Sequence, residues 1–167
     1  MHSNQQQDRQ FDSGDWKAAR DHAWEYFALH AGQRMTIFNF FTILVGLFGT
    51  GIATIIQWGS TFDLVGQALS IILLALCLIF WKLDQRVSSL IKRAERACIE
   101  AEERLYPPSA RLFALEFLST SMGRQTYHPS REWTYGSSFR LLFGVAAIAG
   151  TISTLFFGAS ALGMFIR

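Results

Sequence analysis

Cysteine and proline are scarce in this chain of 167 residues, which contains two of the first and three of the second. Cys77 falls in a strongly apolar stretch and Cys98 in a charged one. We therefore expect no disulfide between them and interpret both as small apolar fillers. No proline occurs before residue 57, so nothing in the backbone chemistry prevents a long N-terminal helix.

Motifs that carry catalytic chemistry are also missing. The chain has no glycine-rich phosphate loop, no CxxC pair and no HExxH sequence, and its four histidines do not recur at a spacing that suits one metal ion. We predict no catalytic residue, no metal, no cofactor and no nucleic-acid partner. The chain is interpreted as a non-enzyme.

Charge is absent from three long runs, residues 36–56, 64–81 and 141–166. As helices they would extend about 32, 27 and 39 Å, against a hydrocarbon core of about 30 Å. A helix on the surface of a soluble protein shows a polar face, and these runs have no charged position. The sequence therefore predicts three transmembrane helices; the alternative is a soluble bundle with three buried helices.

Lysine and arginine are distributed unevenly around these runs. Fourteen of the fifteen lie in residues 1–34 and 82–140, and the remaining one is Arg167. Because cytoplasmic flanks carry the excess of positive charge, the N-terminus and the long connection are predicted to be cytoplasmic and the C-terminus periplasmic. We expect a multi-pass protein of the cell inner membrane. No signal peptide is expected, because a polar stretch precedes the first apolar run.

These patterns predict an all-α fold with four segments. Residues 1–14 are rich in Gln and Asn and are expected to be disordered. Residues 15–81 hold a juxtamembrane helix and the first two transmembrane helices. A cytoplasmic helical connection follows over 82–138, and the third transmembrane helix occupies 139–167.

The helix ends inside this layout can also be predicted. Ser13 or Asp15 is expected to cap the first helix, and Tyr106-Pro107-Pro108 to end the helix that continues from the second span. Ser109 is expected to cap a short helix, followed by a loop over 123–138. The helix before the prolines carries an apolar stripe, which Ile91 and Cys98 widen: Leu83, Val87, Leu90, Ala94, Ala97, Ala101 and Leu105.

Polar residues stand where the first apolar run begins. His30, Gln33 and Arg34 are expected at the cytoplasmic headgroup level, with Arg34 reaching toward lipid phosphate. Asn39 lies deeper, inside the span. A buried amide in hydrocarbon needs a partner, so its face of the helix should meet another helix. That face also carries Thr42, Gly46, Gly49 and Ala53.

The third span carries a second row of small residues, at steps of four: Ala146, Gly150, Thr154 and Gly158. Small residues at this spacing let two helix backbones approach closely. We interpret both rows as helix-packing or pore-lining positions. Two such faces on three spans predict that copies of the chain associate into a homo-oligomer in the lipid bilayer; the alternative is close packing within one protomer.

Three stretches carry a family resemblance: WKAARDHAWEYF (16–27), HAGQRMTIFNFF (30–41) and LDQRVSSLIKRAERA (83–97). Their arrangement resembles the small multi-pass membrane effectors of bacterial conflict systems. These include the SLATT group and the retron- or cyclic-nucleotide-linked effectors of antiphage systems. The resemblance implies a protein that assembles in the inner membrane and compromises it when a cytoplasmic protein or nucleotide signals. The alternative is a non-catalytic membrane anchor or sensor for a soluble cytoplasmic partner.

Overall fold

The computed structural model describes residues 12–125 and 135–162, and within these ranges the chain is helical and contains no strand. Three of its helices are long and apolar enough to cross a membrane by length and composition. The predicted all-α class with three such helices is confirmed. The helices are α1 (Ser13–Trp58), α2 (Asp63–Leu105), α3 (Leu112–Gln125) and α4 (Tyr135–Ala161), with 3₁₀ turns at Ser60–Phe62 and Pro108–Ala110.

Helix α1 runs without a break for 46 residues, about 69 Å, as the absence of proline predicted. Its start differs in detail from the expectation. The backbone N–H of Asp12 donates to Asp15 Oδ2 at 3.2 Å, which is the reciprocal half of a capping box, while Ser13 already lies inside the helix. Of the segment predicted to be disordered, residues 1–11 lie outside the described residues, and 13–14 are helical.

The turn between α1 and α2 depends on Gly59. Its φ of +84° is the left-handed conformation that commonly ends a helix and that side chains disfavour. Helix α2 then runs 43 residues to Leu105 and ends before the two prolines, as predicted. Its apolar stripe is shifted from the predicted centre: Leu83 and Ala97 are exposed. The buried positions are Val87, Ile91, Ala94, Cys98 and Ala101.

The chain forms two compact units. The described residues of the first, the polar unit, are 12–30 and 90–125. Those of the second, the apolar unit, are 31–89 and 135–162. Helices α1 and α2 each contribute residues to both units, so neither unit is a continuous stretch of chain.

The apolar unit is a bundle of α1, α2 and α4 around aromatic side chains. The rings of Phe38 and Phe139 stack with their centroids 3.9 Å apart, and Phe143 meets Phe41 edge to face at 4.6 Å. Phe41 is fully buried. Helix α4 approaches α2 so closely that the Phe157 ring occupies the space where a Cβ on Gly66 would stand.

The polar unit packs small side chains of α2 against α1, and α3 covers one side. The Phe113 ring of α3 lies 6.0 Å from Trp24 and 5.4 Å from Phe27. The buried Glu102 carboxylate accepts from the backbone N–H of Phe113 at 3.0 Å and of Ala114 at 3.3 Å. It thereby takes the place of the N-cap side chain of α3.

Two predictions about the connection are therefore wrong. Ser109 does not cap the short helix, because it lies in the 3₁₀ turn and the helix begins only at Leu112, where Glu102 of α2 meets its free N–H groups. The return loop is also shorter than the predicted 123–138. Helix α3 continues to Gln125 and α4 begins at Tyr135, ahead of the predicted start of the third span.

Candidate functional site

The polar residues at the start of the first apolar run take different positions in the structure. His30 is half-buried in the polar unit, where its ring meets that of Tyr26 edge to face at 4.2 Å. Gln33 is exposed. Arg34 does not extend toward solvent: its side chain is 16% exposed and is paired with a carboxylate. Through this pair, Arg34 links α1 to a separate helix.

The partner of Arg34 is Asp84 on α2. Arg34 Nε donates to Asp84 Oδ1 at 2.7 Å, and Nη2 donates to Oδ2 at 3.3 Å. The guanidinium carbon lies 5.0 Å from the centroid of the Phe139 ring, and a Cβ on Gly136 would come within 3.3 Å of Nη2. The guanidinium of Arg34 on α1 therefore contacts both α2, through a bidentate pair with the carboxylate, and α4, through a cation–π contact with the ring.

Asp84 was not among the predicted site residues. Its side chain is only 3% exposed, and a carboxylate is rarely buried to that degree unless it is paired. A signal for it exists in the sequence. Asp84 continues the alternating three- and four-residue spacing of the buried positions of α2, three residues before Val87 and seven after Cys77. A lone acid on an apolar stripe predicts a buried partner.

The small-residue face of α1 is uncovered. Asn39, Thr42, Gly46 and Gly49 are all exposed, and a Cβ added at either glycine would meet nothing within 4 Å. The Thr42 hydroxyl donates to the carbonyl of Phe38 at 3.0 Å, so it is satisfied within its own helix. The Asn39 amide has no side-chain partner among the described residues. Among the described residues of the protomer, none supplies the helix contact predicted for this face.

The small-residue row of α4 is filled by α2 of the same chain. A Cβ on Gly150 would lie 3.1 Å from the Leu74 side chain, and one on Gly158 would lie 3.7 Å from Gln67 Oε1. The other two members follow the same row: Ala146 is buried, and the Thr154 hydroxyl donates to the carbonyl of Gly150 at 2.8 Å. For this row, the structure follows the alternative of packing within one protomer.

A cavity of about 300 Å³ lies within the polar unit. It combines one cation with three aromatic rings, and the Arg20 guanidinium lies 5.8 Å from the centroid of the Tyr106 ring. Burial raises the pKa of the Cys98 thiol in its wall, and the charge of the Glu102 carboxylate raises that pKa further. The lining side chains include Arg20, Trp24, Cys98, Glu102, Tyr106 and Phe113.

Comparison with known proteins shows a clear similarity to a characterised chain. No known family profile matches the chain, and no solved structure matches it. The chain is 36% identical over 138 residues to a protein of Escherichia coli named CD-NTase-associated protein 19, and the match covers 83% of this chain and 89% of that protein. Similarity of this extent and coverage is a family relationship. The chain belongs to the family of the Escherichia coli CD-NTase-associated protein 19.

Proposed function

We propose that this chain is a non-enzymatic membrane effector of a bacterial antiphage system, and that it acts through self-association of its helices in the bilayer. The family relationship supports the defence setting, since the relative is named for its association with a CD-NTase. It also agrees with the resemblance to membrane effectors of conflict systems. Three helices of sufficient length and apolarity support action in a membrane.

The observation that carries the proposal is the uncovered face of α1. Asn39 presents an amide in a run of residues without charge, and in hydrocarbon an amide without a partner is costly. Gly46 and Gly49 leave open space beside it for a second backbone. A second copy offering the same face supplies both the amide partner and the close contact, as in a two-fold symmetric interface.

The distribution of charge supports a location in the inner membrane with the polar unit in the cytoplasm. Fourteen of the fifteen Lys and Arg residues flank the apolar runs on the side that this orientation makes cytoplasmic. In this arrangement the short connection between α1 and α2 and the C-terminus face the periplasm.

The polar unit is the part that receives the activating signal in this proposal. Its cavity offers an anionic group the Arg20 guanidinium, which at present pairs with the exposed Asp21 carboxylate at 3.1 Å, and it offers an aromatic ring the faces of Trp24, Tyr106 and Phe113. Arginine and aromatic side chains are the groups that recognise phosphates and stacked bases, so a nucleotide suits the cavity. Titration with cyclic nucleotides should quench tryptophan fluorescence, and Arg20→Gln should weaken that response.

A second function, a membrane anchor or sensor for a soluble partner, is favoured by the surface of α3. Leu112 and Phe117 are 71% and 60% exposed, and apolar groups of this size suit a docking partner. An anchor needs no change in the bilayer. Membrane potential therefore separates the two functions, because the effector must depolarise the cell and the anchor must not.

The test is induced expression in bacteria while a potential-sensitive dye is followed, with and without the neighbouring genes of the native system. We expect the wild type to depolarise the membrane. Asn39→Leu, present at the same level in the membrane, should depolarise it less, because the α1 face loses its amide and associates slightly more weakly. Gln85→Leu removes an exposed amide from α2 and should behave as wild type.

Two results would decide against this proposal. Equal depolarisation by wild type and Asn39→Leu would remove the α1 face from the mechanism. Absence of depolarisation by the wild type, with the native partners present, would favour the anchor.

A further inference from the structure

A second polar cluster lies in the apolar unit, where α2 begins. Asp63 opens α2, and Ser160 near the end of α4 donates its hydroxyl to Asp63 Oδ2. Both residues are buried, Asp63 being 6% exposed. One helical turn after Asp63, Gln67 faces the same direction and lies against Gly158 of α4. Three oxygen-bearing side chains thus meet in one region of the α2–α4 contact.

Two of the oxygen atoms in this cluster have no hydrogen-bond donor. Asp63 Oδ1 and Gln67 Oε1 are buried and without a partner among the described residues. Buried acceptors are paired in the large majority of cases, so two adjacent exceptions on one helix face require an explanation. Both atoms are acceptors with free lone pairs, and neither receives a hydrogen bond from the described residues.

No basic side chain of the described residues can supply that charge. Helix α1 has no Lys or Arg after Arg34, which is itself paired with Asp84. The next cation on α2 after Asp63 is Lys82, about 28 Å along the helix axis. On α4, Arg140 stands about 30 Å from Ser160 by the same measure. The Asp63 carboxylate is therefore buried in the described part of the chain without a counter-ion.

We propose that Asp63, Gln67 and Ser160 bind one small monovalent cation of the sodium type. All three ligands are oxygen atoms, which select hard cations over zinc, copper and iron. The one carboxylate of the site balances a single positive charge, so a divalent cation would keep an unbalanced positive charge there. Asp63 also follows the C-terminal end of α1 after one short turn, and helix C-terminal ends coordinate sodium in membrane proteins.

Binding would join α2 to α4 in the stretch where the Phe157 ring packs against Gly66. The contact of Phe157 with Gly66 and of Gly158 with Gln67 lies within the same stretch of the two helices. A cation shared by Asp63 on α2 and Ser160 on α4 adds a bond across this contact. The proposal is independent of the proposed function, since it concerns how the apolar unit is stabilised rather than what the protein does to a bilayer.

The test uses the full chain in detergent micelles and follows its thermal unfolding in sodium chloride, potassium chloride and choline chloride at equal concentration and fixed pH. At about ten times the dissociation constant, the bound cation should raise the unfolding midpoint by about 3–6 °C over choline. Asp63→Asn should abolish the difference between salts. Asp21→Asn, which removes an exposed carboxylate of the polar unit, should preserve it.

Two further variants keep the result interpretable. Gln67→Glu adds a second carboxylate at the same place, so calcium should then stabilise the protein where it does not stabilise the wild type. Ser160→Ala should weaken the sodium response without abolishing it, because Asp63 remains. Whether the unfolding midpoint of the wild type rises more in sodium chloride or in potassium chloride shows which of the two ions fits the site.

Three outcomes would overturn the proposal. Equal midpoints in all three salts would mean that no cation binds. A midpoint that rises only on acidification, in choline as much as in sodium, would assign the charge to a proton on Asp63. A midpoint that does not depend on the salt but falls in the Arg167→Gln variant would mean that the C-terminal arginine supplies the positive charge that balances Asp63.

Discussion

Two faces of the apolar unit carry the same sequence pattern and have opposite environments. The small residues of α4 at 146, 150, 154 and 158 lie against α2, where a Cβ on Gly150 would come within 3.1 Å of Leu74. The small residues of α1 around Gly46 and Gly49 face open space. Small-residue spacing alone therefore predicts close packing but does not tell which helix provides it, nor whether that helix belongs to the same chain.

The difference comes from what stands opposite each face. The large side chains of Leu73 and Leu74 on α2 pack against the α4 row. Gly66 of α2 has no side chain, so the Phe157 ring of α4 packs directly against its backbone. The α1 row has no such complement among the described residues, and it carries an amide that the α4 row lacks. The α4 row is therefore a closed face, which contributes to the packing of the protomer, whereas the α1 row is an open face within the described residues.

The largest effect should come from breaking the ion pair between Arg34 and Asp84, which holds α1, α2 and α4 together. The closed face between α4 and α2 should be weakened by the same change. Asp84→Leu leaves the Arg34 guanidinium buried without an acceptor, which should lower the free energy of unfolding by about 3–5 kcal/mol. The double variant Arg34→Met with Asp84→Leu should recover most of that loss, because it removes both charges. Denaturant titration in mixed micelles measures both. A double variant as unstable as the single one would show that pairing is not the reason for the loss.

An intermediate effect should distinguish two glycines of α4. Gly150→Leu places side-chain atoms against Leu74 and should lower the free energy of unfolding by about 1–3 kcal/mol. Gly144→Leu makes the same change on the same helix, but at an exposed position with nothing within 4 Å, and should stay within about 0.5 kcal/mol of wild type. The same titration compares them. Equal losses would mean that the contact with Leu74 does not set the cost, since replacing Gly by Leu by itself favours a helix at both positions.

The helices could be predicted from the sequence because their signals are local. The absence of proline, the apolar runs and the two prolines after Tyr106 fix the extent of α1 and the end of α2. The cap of α3 could not be predicted, because Glu102 comes from a different helix and only the tertiary structure brings it to the first N–H groups of α3. The same reason applies to Asp84, whose partner lies 50 positions away.

The smallest effect on stability should come from Asn39. Asn39→Leu replaces an exposed amide side chain by an apolar one of nearly the same size. The free energy of unfolding of the isolated protomer should therefore change by no more than about 0.5 kcal/mol. Its loss should appear instead in association, where a hydrogen bond between helices contributes well under about 1 kcal/mol on average. Dilution of the protein in detergent should therefore dissociate the variant at a slightly higher concentration than wild type. A large fall in protomer stability would mean that the amide is used within the chain.

The central claim, that the open face of α1 joins copies of the chain, is tested most directly by the molar mass of the protein in detergent. Light scattering should give a multimer for the wild type and for Gly144→Leu, the control with an exposed glycine on α4. Gly49→Leu fills the open space on α1 and should give a smaller species, while its helix content and membrane level stay those of wild type. A wild type that is strictly monomeric, or a Gly49→Leu variant with unchanged molar mass, would contradict the claim.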